Sequence, residues 1–210
     1  MRTWLARGRF LPLAGAFFLA LAFLAGCSQK AKLPALPADA VLLAFGDSLT
    51  YGTGASEAES YPAQLAQLIG RRVVREGVPG EVTAAGLARL PAVLEYHRPR
   101  LLLLCHGGND FLHRQPKAQA AENLRAMIRL AKNRGIEVLL IGTPEPGFTL
   151  TPPAFYAEIA KEFDLPYEGE VIGKILRDST LKSDQIHPNA QGYRLIAERV
   201  AELLRKSGAV

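Results

Sequence analysis

Short apolar runs alternate along the chain with longer segments in which apolar residues recur at helical spacing. The runs at 41–45 and 101–105 are continuous and apolar, as expected of strands buried on both faces. The pattern at 136–141 is a third strand, apolar except for Glu137, and 72–75 is a short β-branched run. Helical patterns occupy 61–69, 82–97, 117–133, 152–163 and 188–206. Gly70 and Gly135 end two of these segments, as glycine commonly does at a helix C-terminus.

Strands that alternate with helices predict a parallel sheet with helices on both faces, which is a three-layer α/β/α sandwich. Pro91 lies inside the predicted helix at 82–97, where its missing N–H group predicts a kink or a break. In such sheets ligands bind at the carboxyl ends of the strands. Residues that directly follow a strand are therefore the first place to look for chemistry.

The N-terminal segment has the pattern of an export signal. Arg2, Arg7 and Arg9 precede an apolar stretch at 10–25, and Leu-Ala-Gly leads directly to Cys27. This pattern resembles a bacterial lipoprotein signal, which implies cleavage before Cys27 and acylation of its thiol and amine. An ordinary secretory peptide or an uncleaved anchor is the alternative, but neither gives a purpose to the cysteine.

The predicted organisation has three parts. Residues 1–26 are a signal peptide, 27–40 are the lipidated cysteine and a proline-containing spacer, and 41–210 are one domain that is long enough for a sizeable core. Two or more acyl chains give stable membrane anchoring. In lipoproteins of this kind, an aspartate after the cysteine tends to retain the protein at the inner membrane. Ser28 stands there instead, so we expect an outer-membrane lipoprotein that faces the periplasm. If the signal is of the ordinary kind, we expect a secreted protein.

The charge pattern gives no sign of a nucleic-acid partner. The formal net charge of +5 falls to +2 when the three arginines of the signal segment are removed, and no basic tract remains. With Cys27 lipidated, Cys105 is the only remaining thiol, so no intrachain disulfide is expected. No further segment is long and apolar enough for a membrane span.

Three polar clusters stand where chemistry is expected. Ser48 follows the first strand, Asn109 follows the strand at 101–105, and Asp184 and His187 lie three residues apart before the last helix. A serine hydroxyl becomes a good nucleophile only when a base takes its proton and an acid orients that base. The amide of Asn109 is a donor of the kind that stabilises an oxyanion. Taken singly, each cluster is equally well explained by a helix cap or a glycine turn.

Taken together, in order and spacing, the clusters resemble the SGNH, or GDSL, hydrolase superfamily over nearly all of the predicted domain. The first block of that family is matched by Gly-Asp-Ser-Leu at 46–49 and the second by Gly80. The third is matched by Gly-Gly-Asn-Asp at 107–110 and the fifth by Asp-Gln-Ile-His-Pro at 184–188. The resemblance implies a flavodoxin-like fold with a parallel five-stranded sheet, and it implies no metal and no cofactor.

The resemblance also implies a role for each residue. Ser48 would be the nucleophile, His187 the base and Asp184 the acid that orients the base. The oxyanion donors would be the backbone N–H groups of Ser48 and Gly80 and the side-chain amide of Asn109. The substrate would be a small acyl ester or thioester, cleaved through an acyl-enzyme, and nothing in the sequence demands more than a monomer.

The small bacterial branch that contains thioesterase I, lysophospholipase and arylesterase looks most similar, through residues 86–91 and 160–164. Two positions depart from its pattern. Pro-Gly-Glu at 79–81 stands where a small polar residue, glycine and aspartate are expected, which leaves Gly77 as a second candidate for the oxyanion glycine. Cys-His at 105–106 precedes the glycine pair, where that branch more often has an acidic or another polar residue.

Other chemistries are less well supported. Thr50 stands where the Gly-x-Ser-x-Gly elbow needs its last glycine, and metal-ligand spacing, a phosphate loop and a dinucleotide motif are missing. Cys105 is a rival nucleophile, although a lone thiol at the end of an apolar strand is more often buried and inert. Two other functions stay open: a cell-envelope carbohydrate O-acetyl esterase and a non-catalytic lipoprotein binding module.

Overall fold

The structure is a computed structural model that describes Met1 and residues 31–147 and 149–210. The predicted signal peptide, Cys27 and the first residues of the spacer lie outside the described residues. The strands of the described part are β1 (Val41–Gly46), β2 (Arg72–Gly77), β3 (Leu101–Cys105), β4 (Glu137–Ile141) and β5 (Tyr167–Glu168). Its α-helices are α1 (Ser48–Tyr51), α2 (Tyr61–Ile69), α3 (Thr83–His97), α4 (Gly108–Leu112), α5 (Lys117–Lys132), α6 (Phe155–Glu162), α7 (Val171–Arg177) and α8 (Ala190–Ser207).

The five strands form one sheet in the order β2-β1-β3-β4-β5, and every neighbouring pair is parallel. This strand order is that of the flavodoxin-like fold, so the predicted fold class is confirmed. A parallel sheet needs both faces covered, and the apolar runs of β1, of β3 and of β4 after Glu137 follow from that requirement. All carboxyl ends of the strands meet at one edge of the sheet.

Two separate apolar clusters cover the two faces of the sheet. In β1, Leu42 and Ala44 belong to a cluster with α2, α7 and α8, whereas Leu43 and Phe45 belong to a cluster with α3, α5 and α6. The alternation within one strand is that of successive side chains on opposite faces. The described residues are therefore arranged as three layers, as the sequence predicts.

Three predicted helices differ in detail from those observed. Helix α6 begins at Phe155, three residues later than its pattern suggests. Helix α3 continues through Pro91 without a break. Helix α8 begins at Ala190, two residues later than its pattern suggests, because the side chain of Asn189 accepts the N–H of Gly192 and caps the first turn. Pro188 lies before this cap, where it pairs with Lys182 in an isolated antiparallel bridge.

Residues 33–36 of the predicted spacer pack against the domain. The N–H of Leu33 donates to the carbonyl of Ser207, and the N–H of Leu36 donates to the carbonyl of Ala209, both at 2.9 Å. Both leucines are buried in the cluster that contains α8. Because α8 ends here and β1 starts just beyond, this segment lies at the amino edge of the sheet, opposite the carboxyl ends of the strands.

No helix within the described ranges combines the length and the apolar character that a membrane crossing would need.

Gly46 allows β1 and β3 to approach each other closely at the carboxyl edge. It is paired with Cys105, and a Cβ atom at this position would overlap the Cys105 carbonyl and lie 2.6 Å from Thr50 Oγ1. We expect Gly46→Ala to lower the free energy of unfolding by about 2–4 kcal/mol, because backbone atoms cannot move aside cheaply. Urea denaturation measures this loss.

Gly135→Ala is the control for that substitution. Gly135 has a φ of +70°, but a Cβ atom there would meet no other atom within 4 Å. Alanine should therefore cost only about 1 kcal/mol, through backbone strain alone. Equal losses in the two variants would contradict the proposed overlap at Gly46.

Candidate active site

Ser48 is presented by the turn that follows β1. Asp47 caps α1, since its Oδ1 accepts the N–H of Leu49 at 3.0 Å, and Ser48 is the first residue of that helix. The first N–H groups of a helix have no partner within it, so the Ser48 N–H is available to another acceptor. Asp47 is almost completely buried, and burial raises the pKa of its carboxyl above the usual range.

Asp184 and His187 are held by a compact loop before α8. Asp184 Oδ1 accepts the backbone N–H groups of Ile186 and His187, each at 2.8 Å, and its Oδ2 lies 2.7 Å from His187 Nδ1. Partial burial acts to raise the pKa of Asp184. The hydrogen bonds from the ring and from the two amides outweigh it and hold that pKa below its usual range. The carboxylate is therefore ionised, and it can only accept from Nδ1–H.

The serine and the histidine meet across the cleft. His187 Nε2 lies 3.0 Å from Ser48 Oγ. Because Asp184 requires the proton of the ring on Nδ1, Nε2 is left as an acceptor for the hydroxyl proton. The three side chains thus form a continuous hydrogen-bonded chain, which is the geometry of an activated hydroxyl nucleophile.

Asn109 lines the same cleft as Ser48. It follows Gly107, whose φ of +115° favours glycine, and Gly108, the first residue of α4. Asn109 Nδ2 donates one hydrogen bond to the backbone carbonyl of Glu81 at 3.0 Å. Its second N–H can therefore be directed toward a substrate oxygen.

The two candidate oxyanion glycines differ in their surroundings. Gly77 is packed against α1, since a Cβ atom there would overlap the backbone N of Tyr51. Gly80 lies in a turn with a φ of +79°, and a Cβ atom there would meet nothing within 4 Å. Gly80 directly precedes Glu81, which holds Asn109, although Gly80 itself is not among the residues that line the cleft. Close packing explains Gly77, so Gly80 remains the better candidate for an N–H donor.

An apolar cleft of about 230 Å³ opens beside Ser48. Its apolar walls come from α1, from the end of α4, from the segment after β4, from α7 and from the loop before α8. They include Leu49, Leu112, Pro144, Pro146, Leu150, Ile172, Leu176 and Ile186. Leu49 and Ile186 stand in blocks that match the family pattern, whereas Leu112, Leu150 and the prolines after β4 do not. No motif marks α7, whose place at the cleft follows from tertiary packing.

The rival nucleophile Cys105 is not among the residues that line the cleft. Cys105 is buried, and burial raises the pKa of its thiol well above the usual value, which makes it a poor nucleophile. Across the described ranges, no three metal-ligating side chains come close enough together to hold a metal ion. Cys27, the predicted site of lipidation, lies outside the described residues.

A parallel α/β/α sandwich that joins serine, histidine and aspartate at its carboxyl edge defines a serine hydrolase. The model of the GDSL-like Lipase/Acylhydrolase family matches residues 44–195. The chain belongs to this family, as its motifs predict, and it is an ester hydrolase.

The chain is similar to several named proteins. The chain is 33% identical over 172 residues to thioesterase 1/protease 1/lysophospholipase L1 of Escherichia coli K12, covering 78% of this chain and 83% of that protein. It is 30% identical over 195 residues to esterase TesA of Pseudomonas aeruginosa, covering 87% and 96%. Among solved structures, TesA matches with a TM-score of 0.70 at 27% identity, covering 80% of this chain and 99% of that one.

Removal of the Asp184 charge tests how the site orients its histidine. Asp184→Asn keeps an oxygen for the two backbone amides but no longer favours the Nδ1–H tautomer of His187. We expect kcat to fall by about 10²–10⁴-fold with little change in KM. Steady-state hydrolysis of p-nitrophenyl butyrate measures both constants.

Asp178→Asn provides the matched control. Asp178 is exposed and caps a short turn through the N–H and hydroxyl of Thr180 at 2.9 and 2.7 Å. Its substitution should leave kcat unchanged. Similar kcat values for the Asp184 variant and the unmodified protein would contradict the orienting role of Asp184.

Proposed function

We propose that this chain is a serine hydrolase that cleaves ester or thioester bonds of small acyl substrates through an acyl-enzyme. The observation that carries the proposal is the pair of contacts made by His187, 3.0 Å to Ser48 Oγ and 2.7 Å to Asp184 Oδ2. All three residues come from one chain, so a monomer is sufficient for catalysis.

The reaction proceeds in two halves. Ser48 Oγ attacks the acyl carbonyl while His187 Nε2 takes the hydroxyl proton, and Asp184 stabilises the resulting imidazolium. The tetrahedral oxyanion is bound by the N–H groups of Ser48 and Gly80 and by the Asn109 amide. Collapse breaks the bond to the leaving group, which receives the proton from His187. Water then attacks the acyl-enzyme by the same sequence of proton transfers and releases the acid.

The lining of the cleft favours an aliphatic acyl group. Its walls are mainly leucine, isoleucine and proline, and Ser48, Asn109 and His187 line the same cleft. Relatives named as a thioesterase and lysophospholipase, as an esterase and as an arylesterase agree with an ester or thioester substrate. A carbohydrate O-acetyl esterase would need polar groups for the sugar, and the apolar walls argue against it.

Ser48→Ala tests the nucleophile. We expect it to abolish measurable hydrolysis of p-nitrophenyl butyrate and labelling by a fluorophosphonate probe, because no hydroxyl remains to be acylated. Thermal unfolding should show that the variant is folded. Ser56→Ala, which alters an exposed serine away from the cleft, should keep full activity. Retained hydrolysis by the Ser48 variant would sink the proposal.

The same assay on the unmodified protein separates the substrate classes. p-Nitrophenyl esters from acetate to decanoate, acyl-CoA thioesters and acetylated glycans would be compared by kcat/KM. The apolar cleft predicts a preference for acyl chains longer than acetate. Activity confined to acetylated glycans would favour the O-acetyl esterase, and an absence of all turnover would favour a binding module.

We also propose that the protein is a lipoprotein anchored through Cys27 and that its active site faces away from the membrane that carries the anchor. The signal pattern before Cys27 supports the anchoring. Residues 33–36 are held at the end of α8, at the amino edge of the sheet, whereas Ser48 and His187 lie at the carboxyl edge. Only the few residues between Cys27 and Leu33 separate the anchor from this edge.

Cys27→Ala tests the anchor in cells. It should remove the incorporation of labelled palmitate and move the protein from the membrane fraction to the soluble fraction, because no thiol remains to be acylated. Ser28→Ala, which keeps the cysteine, should retain both label and location. Unmodified protein that is soluble and unlabelled would instead indicate an ordinary secretory signal.

A further inference from the structure

The two positions that depart from the family pattern meet in the interior. His106 is fully buried, and its Nε2 lies 3.1 Å from Glu81 Oε2. The other ring nitrogen, Nδ1, accepts the N–H of Gly107 at 3.0 Å. A neutral ring that accepts at Nδ1 carries its proton on Nε2, so His106 donates to the carboxylate of Glu81.

Arg89, a residue of α3, is the third member of this hydrogen-bonded network. Its Nε and Nη2 donate to the two oxygens of Glu81 at 2.7 and 2.9 Å, which is the bidentate geometry that guanidinium favours. Its Nη2 also donates to the Glu76 carbonyl at 3.0 Å, and its Cζ lies 4.1 Å from the centre of the Phe45 ring. Burial acts to raise the pKa of Glu81, but the hydrogen bonds from His106 and Arg89 outweigh it and lower that pKa.

The network joins two of the three segments that carry the proposed oxyanion donors. Glu81 follows Gly80 in the loop after β2, and His106 stands three residues before Asn109 in the loop after β3. The backbone carbonyl of Glu81 accepts Asn109 Nδ2 at 3.0 Å, so the place of Glu81 sets the direction of that amide. A second brace between the same segments, from the N–H and hydroxyl of Thr83 to Asp110, makes no direct contact with the amide.

A glycine in α3 leaves the space that His106 fills. A Cβ atom at Gly86 would overlap His106 Nε2 and lie 3.3 Å from Glu81 Oε2. Glycine is among the poorest helix formers, and Gly86 stands in the interior of a 15-residue helix. The space required by the buried His106 ring explains why glycine stands at this position.

We propose that His106, Glu81 and Arg89 are positioning residues that hold the Glu81 carbonyl, and through it the Asn109 amide, in the direction required by the oxyanion. The inference rests on the proposed hydrolase function, in which Asn109 binds that oxyanion. None of the three side chains lines the cleft, so they act without touching substrate. Stabilisation of a transition state depends on donors that are fixed before the reaction, and a second layer of hydrogen bonds is what fixes them.

His106→Leu and His106→Gln test the histidine. Leucine removes the donor to Glu81, and we expect kcat for p-nitrophenyl butyrate to fall about 10-fold while KM changes less than about 3-fold. Glutamine can place an amide N–H near the position of Nε2, so it should recover most of the loss. A leucine variant with the kcat of the unmodified protein would overturn the proposal, as would a glutamine variant no better than leucine.

A double-mutant cycle with Asn109→Ala distinguishes positioning from a general structural effect. If His106 acts through Asn109, then His106→Leu should lower kcat by less than about 2-fold when the amide is already absent. A full and additive loss in that background would show that His106 acts by another route, and the proposal would fail. Thermal unfolding of all four proteins, measured beside the kinetics, separates lost stability from lost rate.

Arg89→Lys is a second variant for the case that the leucine protein does not fold. Lysine keeps the charge but loses the bidentate contact with Glu81, so kcat should fall with KM little changed. Arg125→Gln is its control. Arg125 also joins two glutamates, Glu122 at 2.9 Å and Glu162 at 2.7 Å, but on the outer surface, and its variant should keep full activity.

The failure of this proposal is distinguishable from failure of the proposed function. An inactive unmodified protein, or an active Ser48→Ala variant, would sink the hydrolase mechanism itself. Normal activity that depends on Ser48 but is indifferent to His106 and Arg89 would overturn the positioning network alone.

Discussion

The hydrogen bond between Ser48 Oγ and His187 Nε2 joins two segments that are 139 residues apart in the chain. Neither segment could hold this contact without the elements that place it. Ser48 is placed by the end of β1, a strand buried on both faces, and His187 by the start of α8, which packs along one of those faces. The burial of apolar surface that holds β1 against α8 therefore places Ser48 within reach of His187, the base that makes it reactive. Local turn geometry then adjusts the final orientation of each side chain.

Much of this fold is predictable because its strands are buried on both sides. β1 and β3 are unbroken apolar runs, β4 is apolar after Glu137, and the long helices show an apolar stripe, so each element has a strong signal of its own. The elements that escape prediction have no such signal. α1 and α4 have only four and five residues, β5 has two, and the start of α8 is set by the side chain of Asn189 rather than by hydrophobic spacing.

The site divides in the same way. Ser48, Asn109 and the Asp184–His187 pair each stand in a short motif beside a strand or a helix, so sequence reasoning could name them and the structure brings them to one cleft. The partners of His106 could not be named, because its contact with Glu81 joins residues 25 apart through the packing of α3 on the sheet. Glu81 and His106 depart from the family pattern at separate places in the sequence, and only the structure shows that they contact each other.

Three carboxyl groups lie in the segments that form the oxyanion site. Asp47, Glu81 and Asp110 all belong to the segments that present donors to the cleft, and their charges would oppose the negative charge that develops on the substrate. Each is turned instead toward protein donors: Asp47 toward an amide of α1, Asp110 toward Thr83, and Glu81 toward a full positive charge on Arg89. Burial favours the uncharged form of Asp47, while the positive charge of the Arg89 guanidinium offsets the negative charge of Glu81. The charge of Glu81 is thus offset by Arg89, and the carboxylate of Asp110 accepts two hydrogen bonds from Thr83, so these anionic residues can brace a site that binds an anion.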